Sequence, residues 1–189
     1  MKRTTTRTIV TTLLVLLATT PIVAQDSLTR RIEVGDAREL RLVNVAGDIS
    51  ITGGGGNAIV TVATKRGGSQ EARDRIDVEV AERGDRVGVR TRYRRNHRTR
   101  VSVDFEVQVP TGTEVSATSV SGSVTVERGE GETRAETVSG DVRVTGATDF
   151  TRAKSVSGDI VLADSSAERE LHAETVSGSS RRMTSACGG

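Results

Sequence analysis

Ser119-Val120-Ser121-Gly122-Ser123-Val124 returns as Thr137-Val138-Ser139-Gly140-Asp141-Val142, as Ser155-Val156-Ser157-Gly158-Asp159-Ile160, and as Thr175-Val176-Ser177-Gly178-Ser179-Ser180. The glycines are 18, 18 and 20 residues apart. A fifth relative, Asn44-Val45-Ala46-Gly47-Asp48-Ile49, lies 75 residues before Gly122, close to four such periods, so weaker copies are expected in the gap. The similarity extends beyond the hexapeptide: Ala117, Ala135, Ala153 and Ala173 fall three residues before the repeat valines, and Val126, Val144 and Leu162 six residues after them.

A fixed period with like residues at like positions is the signature of stacked supersecondary units. The alternation of small apolar with Ser, Thr, Glu and Arg positions is that of a strand. The expected unit is therefore one coil whose inward side chains are the Ala, the repeat Val, and the Val/Ile and Val/Leu that follow. Gly47, Gly122, Gly140, Gly158 and Gly178 make the corners, where glycine tolerates positive φ and a following Asp or Ser bonds local backbone amides. Coils stacked at about 4.8 Å would build a thin core of Ala and Val files. The fold class expected is all-β, a single-stranded β-helix (β-solenoid) with rungs of about 18–20 residues. Hairpins in a sandwich share the period, but do not demand the same Ala, Val and Gly columns.

Residues 28–110 are less regular. Strands are expected at 39–45, 48–52, 58–64, 76–81, 86–93 and 101–109, separated by Gly-rich and charged turns. Val101, Val103, Phe105, Val107 and Val109 form the cleanest alternating stripe, and Pro110 ends it. In the last repeat the positions due to be apolar hold Ser180 and Arg182, so the end of the array looks poorly covered.

The 189 residues include 2% aromatics, with Trp absent, which argues against a bulky core or an aromatic-lined pocket. Residues 1–24 read as a secretory leader: Lys2, Arg3 and Arg7, an apolar run from Ile9 to Ala18, then Pro21 and a small Ala24 at the expected cut. The apolar run is shorter than the roughly 20 residues that cross a bilayer, and no second candidate follows. Loss of the leader takes 27 basic residues to 24 against 25 acidic ones. The apparent basicity belongs to the leader. A lone Cys187 rules out an intrachain disulfide.

With its repeated S/T-V-S-G-D/S-V/I columns, from Val45 to Ile51 and from Val120 to Gly178, the chain resembles the bacterial putative-adhesin family, an exported adhesin-like domain of unknown function with V-S-G-D-V repeats. The resemblance covers most of the chain beyond the leader. It implies a β-helix protein of the cell envelope and brings no catalytic residues with it. The organisation expected is a leader over 1–24, an adhesin-like β-solenoid over 25–180 (irregular rungs 28–110, regular repeats 111–180) and a poorly ordered tail over 181–189. The chain is expected to be exported, to the periplasm or the cell surface.

Chemistry is sparse. Asp48, Asp141 and Asp159 share a column that a hard cation could use, but neighbouring corners carry Ser123 and Ser179, and hydrogen bonds to backbone are the plainer role. His97 and His172 form no metal spacing, no Gly-x-Ser-x-Gly elbow occurs, and the run Gly53 to Gly56 lacks the Lys of a phosphate loop. No cofactor or metal is expected. Eight arginines lie in residues 83–100 alongside only Asp85. Of these, Arg90, Arg92 and Arg94 should project from one strand face, with Arg95 and Arg98 following. They are the candidate contact for an anionic glycan or lipid headgroup, because guanidinium binds carboxylate, sulfate and phosphate bidentately. Export and a single Tyr93 argue against nucleic acid. Arg83-Gly84-Asp85 reads as a turn. The expected function is non-enzymatic interaction with an envelope or surface component. The alternative is a polysaccharide-acting β-helix enzyme using carboxylates such as Glu127 and Glu130.

Overall fold

The computed structural model describes residues 26–33, 38–54, 56–94, 100–149, 151–164 and 171–183. The leader, Arg95, His97, Arg98 and Cys187 lie outside them. Strands dominate. The first part contains β1 (Asp26–Glu33), β2 (Glu39–Ala46), β3 (Ile49–Gly53), β4 (Ala58–Arg66), a short helix α1 (Gln70–Arg73), β5 (Ile76–Arg83), β6 (Arg86–Tyr93) and β7 (Ser102–Val109). The repeats follow as pairs: β8 (Glu114–Ser121) with β9 (Val124–Glu127), β10 (Thr133–Ser139) with β11 (Val142–Thr145), β12 (Thr151–Ser157) with β13 (Ile160–Ala163), and β14 (Leu171–Ser177) with β15 (Ser180–Met183).

The chain is all-β, with two mixed, unclosed sheets ordered β1-β4-β7-β3-β9-β11-β13-β15 and β14-β12-β10-β8-β2-β6-β5. Each repeat gives one strand to each sheet, and the strands of successive repeats pair parallel and in register. Ala117 lies beside Ala135, Ala135 beside Ala153, and Ala153 beside Ala173. In the other sheet Val124, Val142 and Ile160 align, as do Val126, Val144 and Leu162. Both sets lie side by side on the buried face of the eight-stranded sheet, and Ala117, Ala135 and Ala153 are buried on the inner face of the seven-stranded one. The inward positions of these rungs are filled by small and medium aliphatic side chains.

The repeat valines do not face inward. Counted from Ala117, alternate positions put Ser119 inside and Val120 outside, and the strand follows that parity: Ser119, Thr137 and Ser155 are buried, whereas Val120 is 48% exposed, Val138 48%, Val156 38% and Val176 72%. The valines do stand in single file, in register across β8, β10, β12 and β14, but on the outer surface.

The gap between the fifth relative and the other repeats is not filled by weaker coils. The rung β2–β3 lies directly against β8–β9, with Asn44 beside Ser119 and Ile49 beside Val124. The intervening residues make an excursion to the other side of that rung. β6 and β7 return parallel to β2 and β3, and β5, β4 and β1 extend the sheets with antiparallel pairs. The large buried residues lie in the excursion and in β2 and β3. Phe105, with Val101, Val103, Val107 and Val109 on its alternating stripe, is buried together with Leu40, Leu42, Ile49, Ile51, Ile59 and Ile76.

At the far end, Ser180 and Arg182 occupy the columns of Ile160 and Leu162, as the sequence anticipates. Residues 181–183 belong to strand β15. Residues 184–189 lie outside the described residues. A charged residue at an inward position is one way edge strands discourage further pairing.

Candidate functional site

The corners form a column built on backbone contact. Gly47, Gly122, Gly140, Gly158 and Gly178 have φ of +113°, +142°, +144°, +147° and +156°. A Cβ on Gly140 would stand 2.4 Å from the Gly122 carbonyl oxygen, and on Gly158 2.1 Å from that of Gly140. Only glycine fits. Each of these carbonyls also accepts a hydroxyl from the next rung: Thr137 Oγ1 donates to Gly122 O at 2.9 Å, Ser155 Oγ to Gly140 O at 3.0 Å and Thr175 Oγ1 to Gly158 O at 3.1 Å. At the Gly47 corner the Asn44 amide takes the carbonyl instead, at 3.1 Å, and the buried Ser119 hydroxyl has no partner among the described residues.

The corner carboxylates bond the next rung, not their own turn. The Ser123 amide donates to Asp48 Oδ1 at 2.8 Å, the Asp159 amide to Asp141 Oδ1 at 2.9 Å, and the Ser179 amide and hydroxyl to Asp159 Oδ1 at 2.8 and 2.9 Å. The two bonds from Ser179, backbone first, hold the Asp159 carboxyl below the usual carboxylate range. Among the described residues no group of three or more His, Cys, Asp or Glu is placed to hold a metal.

The outer face of the seven-stranded sheet is the remaining surface of interest. Along one side run Val45, 40% exposed, and the four repeat valines, a continuous apolar file next to the corners. Across β5 and β6 several of the charges are paired. Arg90 and Arg92 do project together from β6, yet both engage Glu79 on the neighbouring strand, at 2.6 and 3.0 Å, and Arg94 engages Asp77 at 2.8 Å. Hydrogen bonds from Arg92 and then Arg90 push the Glu79 carboxyl down from its ordinary value. The predicted arginine stripe is thus one half of a cross-strand ion-pair ladder. Arg95 and Arg98 are outside the described residues.

Beside this ladder lies a hollow of about 580 Å³ whose lining includes Arg41, Arg83, Arg86, Arg90, Glu39 and Glu79. Arg86 is bound to Glu39 at 2.5 Å. Arg83 closes β5, and Gly84-Asp85 forms the two-residue turn into β6, so the Arg-Gly-Asp tripeptide is indeed a hairpin turn. Arg41, which lies outside the arginine-rich window, went unnoticed in the sequence. The available signal was Gly88, the one break in the alternation of β6. Glu127 and Glu130 are exposed, Glu127 at the end of β9, and His172 is exposed on β14.

No family model matches the chain, and none of the curated proteins matches it. Solved structures do resemble it. A crystal structure of a putative cell adhesion protein from Clostridium sporogenes superposes with a TM-score of 0.65 at 8% identity, covering 85% of this chain and 100% of the other. A putative adhesin from Bacteroides fragilis gives a TM-score of 0.34 at 12% identity over 83% of this chain and 97% of the other. The first likeness is one of fold.

Proposed function

We propose that this chain is an exported, non-enzymatic, adhesin-like β-helix protein that meets a cell-envelope or surface component through the outer face of its seven-stranded sheet. The β-helix reading is supported by the parallel, in-register rungs at the repeat spacing. Export, to the periplasm or cell surface, is supported by the charged and apolar pattern of residues 1–24. The adhesin-like reading is supported by the likeness in fold to a putative cell adhesion protein.

The observation that carries the interaction is the exposed file Val45, Val120, Val138, Val156 and Val176. Single exposed valines are ordinary, but a contiguous apolar file along a sheet face is a candidate contact surface. The partner proposed is an envelope component, an anionic glycan or lipid headgroup among the candidates, since charged groups lie on the same face. The test is retention of the chain lacking residues 1–24 on washed cell envelopes, compared with the triple variant Val120→Lys, Val138→Lys, Val156→Lys. Loss of retention with an unchanged far-UV circular dichroism spectrum supports the proposal, and equal retention of the two proteins sinks it.

A further inference from the structure

The five repeat-corner glycines have steric reasons to be glycine; Gly88 has none. It lies in the middle of β6, outside the positive-φ region, and a Cβ there would meet only Ala81 O, at an ordinary 3.7 Å. Glycine in a strand interior weakens the strand, and where backbone geometry does not require it, it marks a place approached closely from outside. Its cross-strand neighbours are Arg41 on one side and the small Ala81 on the other, so three adjacent positions make a low floor with one arginine at its edge.

One step along the sheet, Glu39, Arg86 and Arg83 stand side by side, and one step the other way Val43, Arg90 and Glu79. Glu39 is taken by Arg86, and Glu79 by Arg90 and Arg92. Arg41 and Arg83 have no carboxylate partner among the described residues, and stand diagonally across Gly88. From strand spacing and rise, their Cα atoms are about 12 Å apart, a distance across which two extended guanidinium groups converge on one guest.

We propose that this hollow over Gly88 binds an acidic saccharide, a sugar unit carrying a carboxylate or sulfate, with the ring on the Gly88–Ala81 floor and Arg41 and Arg83 on the anionic group. The hollow's volume lies in the range of small-molecule sites, and the arginine forks match planar or tetrahedral oxyanions. An anionic membrane fits less well, because Glu39, Glu79 and Asp77 interrupt the positive charge on this face and would oppose a continuous negative surface. The ligand class rests on the surface-binding reading above; the hollow stands on its own geometry.

The experiment is calorimetric titration of the chain lacking residues 1–24 with three probes: oligogalacturonate, a sulfated chondroitin disaccharide, and a neutral cello-oligosaccharide. Vesicles containing phosphatidylglycerol are tested alongside. Binding of either acidic sugar, weakened about tenfold or more by Arg41→Gln with Arg83→Gln, supports the site. So does its loss in Gly88→Val, which fills the hollow with a residue suited to a strand. Arg143→Gln, on β11 of the other sheet, should leave binding unchanged. Absence of acidic-sugar binding, binding to vesicles alone, or full binding by Gly88→Val overturns the proposal. The same variants are scored for envelope retention. Retention that is lost in the valine triple variant but persists without acidic-sugar binding leaves the surface reading standing and removes only the hollow.

Discussion

In residues 26–110 the interior is filled by Phe105, Leu40, Leu42, Ile49, Ile51, Ile59 and Ile76, whereas in the repeats after Pro110 the largest fully buried side chain is Ile160. The first region pairs strands both parallel and antiparallel and balances charge across β5 and β6 through Glu79 and Asp77. The second has parallel rungs only, joined at their corners by glycine carbonyls, hydroxyls and carboxylates reaching one rung along. The difference shows two routes to one interior. Varied strands can use bulky residues that interdigitate. The repeats use smaller residues on average, and their corners add polar contacts that recur along the stack.

The sharpest way to break this comparison is to remove what each region relies on. Phe105→Ala should destabilise by about 4 kcal/mol, the large-to-small loss for a fully buried aromatic. Gly140→Ala, which creates no cavity, should cost about 3 kcal/mol through a forbidden conformation and a clash with the Gly122 carbonyl. Gly84→Ala at the hairpin turn, with positive φ but open space around it, should cost about 1 kcal/mol. Urea unfolding midpoints at constant m-value check all three. Comparable losses at Gly140 and Gly84 would mean that rung-to-rung backbone contact contributes nothing.

Acid sharpens the comparison further. The Asp159 carboxyl has a folded pKa below its unfolded one, so its contribution is present above the ordinary carboxylate range. It is lost as pH falls through the lowered value, because the unfolded chain takes up the proton first. Asp159→Asn keeps an oxygen for the Ser179 amide and removes the titration. Its unfolding midpoint should therefore fall less steeply than that of the parent below about pH 4. Parallel curves would detach the carboxylate from stability.

The smallest effect is the most informative about facing. Val138→Ser should change stability by no more than about 0.5 kcal/mol, as for other surface positions. An inward valine would lose about 2 kcal/mol in the same thermal-unfolding measurement.

That last contrast marks where the sequence was legible and where it was not. The period, the corner glycines, the positions of Ser180 and Arg182 and the stripe through Phe105 were all readable, because each follows from spacing or alternation alone. The direction of Val120 was readable too: it lies an odd number of residues from Ala117, and an odd step in a strand reverses the face. Hydrophobicity pointed inward and parity outward, and parity prevailed because the buried hydroxyls of Thr137 and Ser155 have glycine carbonyls to meet. The excursion was hidden, since spacing close to four periods looks the same whether coils fill it or the chain leaves and returns. The pairing of Arg90 and Arg92 with Glu79 was hidden for a related reason. It depends on the register of β5 against β6, and the Gly84-Asp85 turn fixes that register only once it is known to be a two-residue hairpin.

The in-register column of glycines makes chain length a quantity that can change in whole steps. If residues 123–140 were excised, Gly122 would be joined to Asp141 and β8 would meet β12. Thr, Ala and Ser would still find their counterparts, and both sheets would stay aligned. A cut that is not a whole number of rungs would misalign one sheet or the other. A gene encoding this array can therefore gain or lose one tile by unequal crossing-over without a new interior having to be invented.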